Sequence, residues 1–475
     1  MSFQSIPLGA PRRSRRPWRW GLAAASVVAG VALAAVLSLP RVTATYPAPG
    51  AARVSSRAPI RITFNRPMQP ASLNASLQFN PPHTGTQTWA GQQLIFTPSL
   101  PWPEKSGVTV TLTGGQSAGG LPLLEKPTWS FTIAGQRLAY LTGAIPNLWL
   151  MPLDADAGPE AEPYPLTTEP EGIYNFDISP DGTRAVYAAL RADGGADVRL
   201  VNLDGTDARA VLLCPGEACL SPVFSPDGAR LAYERQAVLR DDVTGASFGD
   251  SHVYLYTLAT GADDPIDTPA PDARFPRWAA DGRLTFFDTD RRAVVVRDVI
   301  NGAVTYVPNG AGDVGTWSPD ARFLVHAEIV FPAQGAELPG EDFADHFYSH
   351  LYRVIVATNQ TEDLSGAAAL VTDGAPVFSP SGEWLVFGRR HLVPRLWTLG
   401  RQIWLMRADG SEAHSLTHEP TFNHSAFVWS PDATRLVYMR FNAGDPAAPA
   451  EIWMMNRDGT DAHRITTGYL PEWVP

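Results

Sequence analysis

The sequence predicts an all-β protein: a small β-sandwich, then a seven-bladed β-propeller closed by a C-terminal strand. Three observations carry this. A Ser-Pro-Asp-Gly phrase recurs along the chain, a second phrase ending in Asp-Gly follows it, and short alternating strands separated by Gly- and Pro-rich turns run throughout.

The 475 residues allow more than one domain. The 43 prolines and 40 glycines suit short strands and turns better than long helices. The formal charge of −11 argues against broad binding to a phosphate backbone, so no nucleic-acid partner is expected.

Residues 1–20 form a basic tail containing Arg12, Arg13, Arg15, Arg16 and Arg19. Residues 21–39 are uncharged and apolar, and as a helix would reach roughly 28 Å, close to the hydrocarbon thickness of a bilayer. The arginines on one side place the N-terminus in the cytoplasm and the rest outside the cytoplasmic membrane. A cleaved signal peptide is the competing reading, but its apolar core is usually shorter. A retained single-pass anchor, with the membrane as a partner, is therefore the expectation.

Residues 42–58 read as a linker and 59–135 as a sandwich. Strand-like pieces lie at Ile60-Arg61-Ile62-Thr63-Phe64, 77–79, 93–96, 108–112 and 129–133. Ile62-Thr63-Phe64-Asn65-Arg66-Pro67-Met68, Trp89-Ala90-Gly91, Leu94-Ile95-Phe96-Thr97-Pro98, Gly119-Gly120 and Trp129-Ser130-Phe131 resemble the bacterial Ig-like domain of surface-layer and other exported proteins. The resemblance implies a spacer or adhesive module, and the spacer is favoured.

The propeller is expected over 137–475. Its repeats begin near 172, 220, 273, 313, 374 and 425, each with a phrase such as Phe224-Ser225-Pro226-Asp227-Gly228 or Trp429-Ser430-Pro431-Asp432-Ala433. Closing phrases include Ile403-Trp404-Leu405-Met406-Arg407-Ala408-Asp409-Gly410. Asp-Gly suits tight hairpin turns because glycine tolerates positive φ. Leu138-Ala139-Tyr140, Leu148-Trp149-Leu150-Met151 and Tyr164-Pro165-Leu166-Thr167 form a partial repeat lacking its first strand, which Leu470-Pro471-Glu472-Trp473-Val474 would supply. The repeats resemble the TolB-type (WD40-like, PD40) propeller family. That resemblance implies the fold and says almost nothing about activity.

Longer connections near 236–250, 329–349, 389–401 and 441–449 fall on one face of such a propeller, making it the expected binding face. On it lie Asp342, Asp345, His346 and His350; Arg389, Arg390, His391, Arg395, Trp397 and Arg401; and His418 and His424. A short helix would align Asp342, His346 and His350 on one side, as a divalent metal site requires, but a solvated polar loop is the favoured reading. The arginines with Trp397 suit an acidic ligand, a glycan or an acidic partner loop, but an internal ion pair with the acidic stretch near 341–345 is the favoured reading. Cys214 and Cys219 are spaced for a small disulfide loop in an oxidising compartment, or are two free thiols on a turn.

No Gly-x-Ser-x-Gly, Walker A or His-Glu-x-x-His motif is present. The expectation is a binding or scaffold protein without cofactor, presenting a propeller face to a protein, peptide or glycan. A carbohydrate-active lyase or hydrolase using the same face is the alternative.

Overall fold

The computed structural model describes residues 39–153, 162–241, 245–266, 272–331 and 348–475. The expected tail and apolar span at 1–38 lie outside them. Among the described residues there is no α-helix, and no helix is long and apolar enough to cross a membrane. The chain divides into two compact units.

The first unit is a two-sheet sandwich. One sheet orders Val42–Tyr46, Ile60–Phe64, Gln93–Pro98 and Gly85–Ala90; the other orders Leu77–Asn80, Gly107–Leu112 and Thr128–Thr132. Alternation sets the core: Ile60, Ile62 and Phe64 point inward from one sheet and Val108, Val110 and Leu112 from the other. Phe79 and Phe96 join the sheets with ring centroids 4.4 Å apart. Val42–Tyr46, expected within a linker, is instead a strand paired with Ile60–Phe64. Its β-branched Val-Thr-Ala-Thr run explains this. Gly85–Ala90 is an edge strand whose polar side chains hid it in the sequence.

The second unit gathers Arg53–Ala58, Pro101–Ser106 and Ile133–Pro475. It contains antiparallel four-stranded meanders in chain order. The first meander orders Tyr164–Pro165, Asn147–Pro152, Arg137–Thr142 and Tyr469–Val474, so Trp473 pairs with Leu138. The later meanders begin at Ile173–Ile178, Glu217–Phe224, Ala273–Trp278, Thr316–Trp317, Val371–Phe378 and Phe422–Trp429. They are called the second to seventh sheets below.

Each sheet buries its two faces against its neighbours. Leu148 and Leu150 pack with Tyr187 and Ala189, Val186 and Leu200 with Leu231 and Tyr233, and Ala232 and Val253 with Leu284 and Phe286. Val294 and Val296 pack with Leu324 and Val354, Val325 and Leu351 with Leu385 and Phe387, and Val386 and Leu405 with Leu436 and Tyr438. Val437 and Met454 then meet Leu138 and Tyr140, returning the succession to its start. Each such large apolar side chain contributes about 1.5–3 kcal/mol when fully buried, which a lone four-stranded sheet could not provide on both faces.

The recurring turn has a local cause. Ser179 Oγ donates to Asp181 and accepts the Arg184 N–H, closing the hairpin; Ser225, Ser318 and Ser430 repeat this. Neighbouring first strands are joined in two ways. Trp278 and Trp429 donate their indole N–H to the carbonyls of Val223 and Val377. On the first two sheets acids take that place: Glu472 accepts the Ile178 N–H at 3.0 Å and Asp177 the Phe224 N–H at 2.7 Å.

Candidate functional site

The longer connections differ in kind. The stretch expected as an insert near 236–250 largely continues the paired strands Arg230–Asp241 and Gly245–Thr257. Asp342, Asp345 and His346 lie outside the described residues. His350 sits in the strand Tyr348–Ile355, so the helix that was to align it with Asp342 and His346 does not reach it. Its ring is buried, with Nδ1 3.0 Å from Asp363 and Nε2 2.8 Å from the Ala369 carbonyl. Among the described residues no group of three His, Cys, Asp or Glu is placed to hold a metal.

Arg389, Arg390 and His391 end the strand Trp384–His391 rather than opening a loop. Arg389 is internal: it donates to Asp373 at 2.8 and 2.6 Å, and its guanidinium lies 4.8 Å from the Trp404 ring centroid. His391 stands edge-on to Trp404, and burial and the nearby Arg389 hold its pKa below the usual value. His424 is also internal. Its Nδ1 is 2.9 Å from the Arg401 carbonyl and its Nε2 3.0 Å from Glu419. That contact, with the Arg440 guanidinium, pulls the Glu419 carboxyl down to about 2. Arg395, Trp397 and His418 are exposed.

Arg390 and Arg401 are arranged differently. On the sixth sheet Thr372 pairs with Arg390, and Gly374 with Gly388 two residues along, so these four share one face. Arg401, just ahead of the strand Gln402–Arg407, lays its side chain across that face. A Cβ added at Gly388 would come within 3.2 Å of Arg401 Cδ, and one at Gly374 within 3.5 Å of Cζ. The two glycines thus make the track along which the guanidinium reaches the sheet's first strand. The Arg401 backbone is fixed by Asn423 Oδ1 at 3.0 Å and by the His424 N–H at 3.0 Å.

Among the described residues neither Arg390 Nε nor Arg401 Nε has a hydrogen-bond partner, although both atoms are buried. Thr372 Oγ1 and Ser425 Oγ are unpartnered in the same way, and Thr372 is 8% exposed. Burial and then the charge of Arg390 push the Arg401 pKa down, while Asp373 and Asp313 oppose them. Sequence reading found the two arginines but missed Thr372 and Ser425; the one available signal was the glycine pair inside strand patterns.

Exposed apolar side chains lie on the connection that runs into Arg401 and on the strand Arg435–Asn442. Leu396 and Trp397 are each 48% exposed, Leu399 39% and Phe441 37%. Leu399 reaches the 442–450 connection at Gly444 and donates its N–H to the Pro420 carbonyl at 2.8 Å. Elsewhere, Cys214 and Cys219 are joined in a disulfide.

Residues 38–133 match the bacterial Ig-like domain family. The uncharacterized peptidase YuxL of Bacillus subtilis (strain 168) is 24% identical over 35% of this chain, and the match spans 28% of that protein's length. TolB from Acinetobacter baumannii is similar at 14% identity and a TM-score of 0.42, covering 84% of this chain and 83% of that one. The β-propeller domain of the trilobed protease from Pyrococcus furiosus is similar at 14% identity and a TM-score of 0.46, over 62% and 85%.

Proposed function

We infer, for a chain that joins a bacterial Ig-like domain to a propeller of the TolB type, a binding protein of the extracytoplasmic side. In this reading the propeller has seven blades and the Ig-like domain is a spacer. The run at 21–39 anchors the chain in the cytoplasmic membrane, and the working surface is the face carrying the connections at 392–401 and 441–450.

One observation carries the reading. Leu396, Trp397 and Leu399 stand exposed on one connection, and Phe441 near the end of the strand Arg435–Asn442 in the adjoining sheet. Single exposed apolar residues need no explanation, but a contiguous group marks an interaction surface. Trp and Phe in such a group are the residues that anchor partner interfaces.

Capture of partners from an extracytoplasmic extract tests this. The purified chain should retain a defined partner that the Trp397→Ser, Phe441→Ser double variant, of unchanged melting temperature, does not. Equal capture by both would remove this face from consideration. Carbonate extraction tests the anchor: the chain should stay with the membrane pellet.

A further inference from the structure

We propose that Arg390, Arg401 and Thr372 form a carboxylate-binding pocket, and that its ligand is the C-terminal carboxylate of a peptide ending in an apolar residue. This rests on the face assigned above and names what that face recognises.

Two guanidinium groups lie on one face of the sixth sheet, each with a buried Nε lacking an acceptor. Holding like charges together away from water is costly unless an anion or a set of acceptors meets them. The arrangement is also built. Gly374 and Gly388 leave the room Arg401 occupies, and Asn423 and His424 fix its backbone. Thr372 adds a hydroxyl, nine-tenths buried and unpartnered, opposite Arg390 in the strand register.

The charges point to an anion. Asp373 is already held by Arg389. Among the described residues, Asp313 is the other carboxylate that raises the Arg401 pKa, and it accepts the Gly315 and Ala327 N–H groups. Among the described residues Arg401 thus has a second cation, Arg390, beside it and Asp313 opposing it, an arrangement that a ligand carboxylate suits. Guanidinium forks match the planar carboxylate with paired hydrogen bonds.

The surroundings choose between sources of that carboxylate. Leu396, Trp397 and Leu399 are exposed on the connection that runs into Arg401, and Trp397 bridges His391, the chain neighbour of Arg390. A sugar acid would leave its hydroxyls against those aliphatic groups, whereas an apolar terminal residue covers them.

Thermal shift and calorimetry with small probes on the full chain, at fixed ionic strength, test this. N-acetyl-leucine and N-acetyl-phenylalanine should raise the melting temperature in a saturable way, and their amides should not. Arg401→Gln and Arg390→Gln should each weaken the response at least tenfold, while Arg209→Gln, exposed on the strand Arg209–Leu212 of the second sheet, should leave it unchanged. Circular dichroism and the unliganded melting temperature confirm that each variant is folded. No response to the acids, or an equal response in the Arg401→Gln chain, would overturn the pocket. A stronger response to galacturonate would overturn the peptide assignment in favour of a glycan, and a stronger response to phosphate would overturn the carboxylate. Loss of the pocket with partner capture still dependent on Trp397 would leave the binding face standing; loss of both would end both readings.

Discussion

Glu472 accepts the Ile178 N–H at 3.0 Å and Asp177 the Phe224 N–H at 2.7 Å, and their carboxyls act on each other across the junction between the strand that completes the first sheet and the first strand of the second. Neighbouring carboxyls sheltered from water hold a proton between them in preference to ionising together. Burial, then the charge of Asp177, pushes Glu472 well above the usual range. Asp177 is raised to about 7 by burial, with the Phe224 N–H and then Arg277 opposing the rise.

A raised acid keeps its proton in the folded state while the unfolded chain has lost it. The pair's contribution is therefore fully present below about pH 4 and falls as pH rises toward about 7. Glu472→Gln keeps an acceptor for the Ile178 N–H and removes one charge. It should match the parent at pH 5 and exceed it at pH 8 by about 1–3 kcal/mol in denaturant unfolding. A variant less stable at pH 8 would refute the shared proton.

Glu419 behaves oppositely. Its carboxyl is held down to about 2 by the His424 hydrogen bond, and Arg440 lowers it further. Its contribution is present above the unfolded value of about 4.5 and is lost as pH falls toward 2. Glu419→Gln should therefore flatten the fall in stability across that acid window, measured by urea midpoints at pH 5, 4 and 3.

Arg389 and Asp373 form an ion pair with almost no exposure. Replacing Arg389 by Met leaves a buried carboxylate alone and should cost about 3–5 kcal/mol. Pairing that change with Asp373→Asn should restore much of the loss. Equal loss in the single and double variants would mean that packing, not charge, is responsible.

Ala321 and Ala433 occupy turn positions with φ of +56° and +58°, where Gly182 holds the matching place in the second sheet. A left-handed backbone costs a non-glycine residue about 1 kcal/mol. Ala433→Gly should therefore be neutral to stabilising, by up to about 1 kcal/mol after glycine's greater unfolded-state entropy is set against it. Calorimetric melting of the variant beside its parent measures this.

The repeated architecture was legible because its turn is a local device. Ser179, Asp181 and the backbone between them satisfy one another without help from the rest of the fold, so the phrase recurs wherever the hairpin does. Gly85–Ala90 was illegible as a strand because Thr86, Gln87 and Thr88 give no apolar–polar contrast, although their exposure alternates in the fold. The site was legible in composition but not in role. Arg389 and Arg390 are neighbours in sequence, yet strand alternation sends one to Asp373 and leaves the Nε of the other without an acceptor among the described residues. His350 and His424 looked available because nothing local announces Asp363, the Ala369 carbonyl or Glu419 as their partners. Those contacts exist only after the sheets assemble.

The pairing of Trp473 with Leu138 also dictates an order of events in time. A chain synthesised from its N-terminus holds Arg137–Thr142 as an unsatisfied edge while more than three hundred residues are added. Closure thus comes last and carries the loop entropy of nearly the whole second unit. A nascent or clipped molecule lacking Tyr469–Val474 exposes that edge to any passing strand, which makes this segment the point where a truncated chain turns from soluble to self-associating.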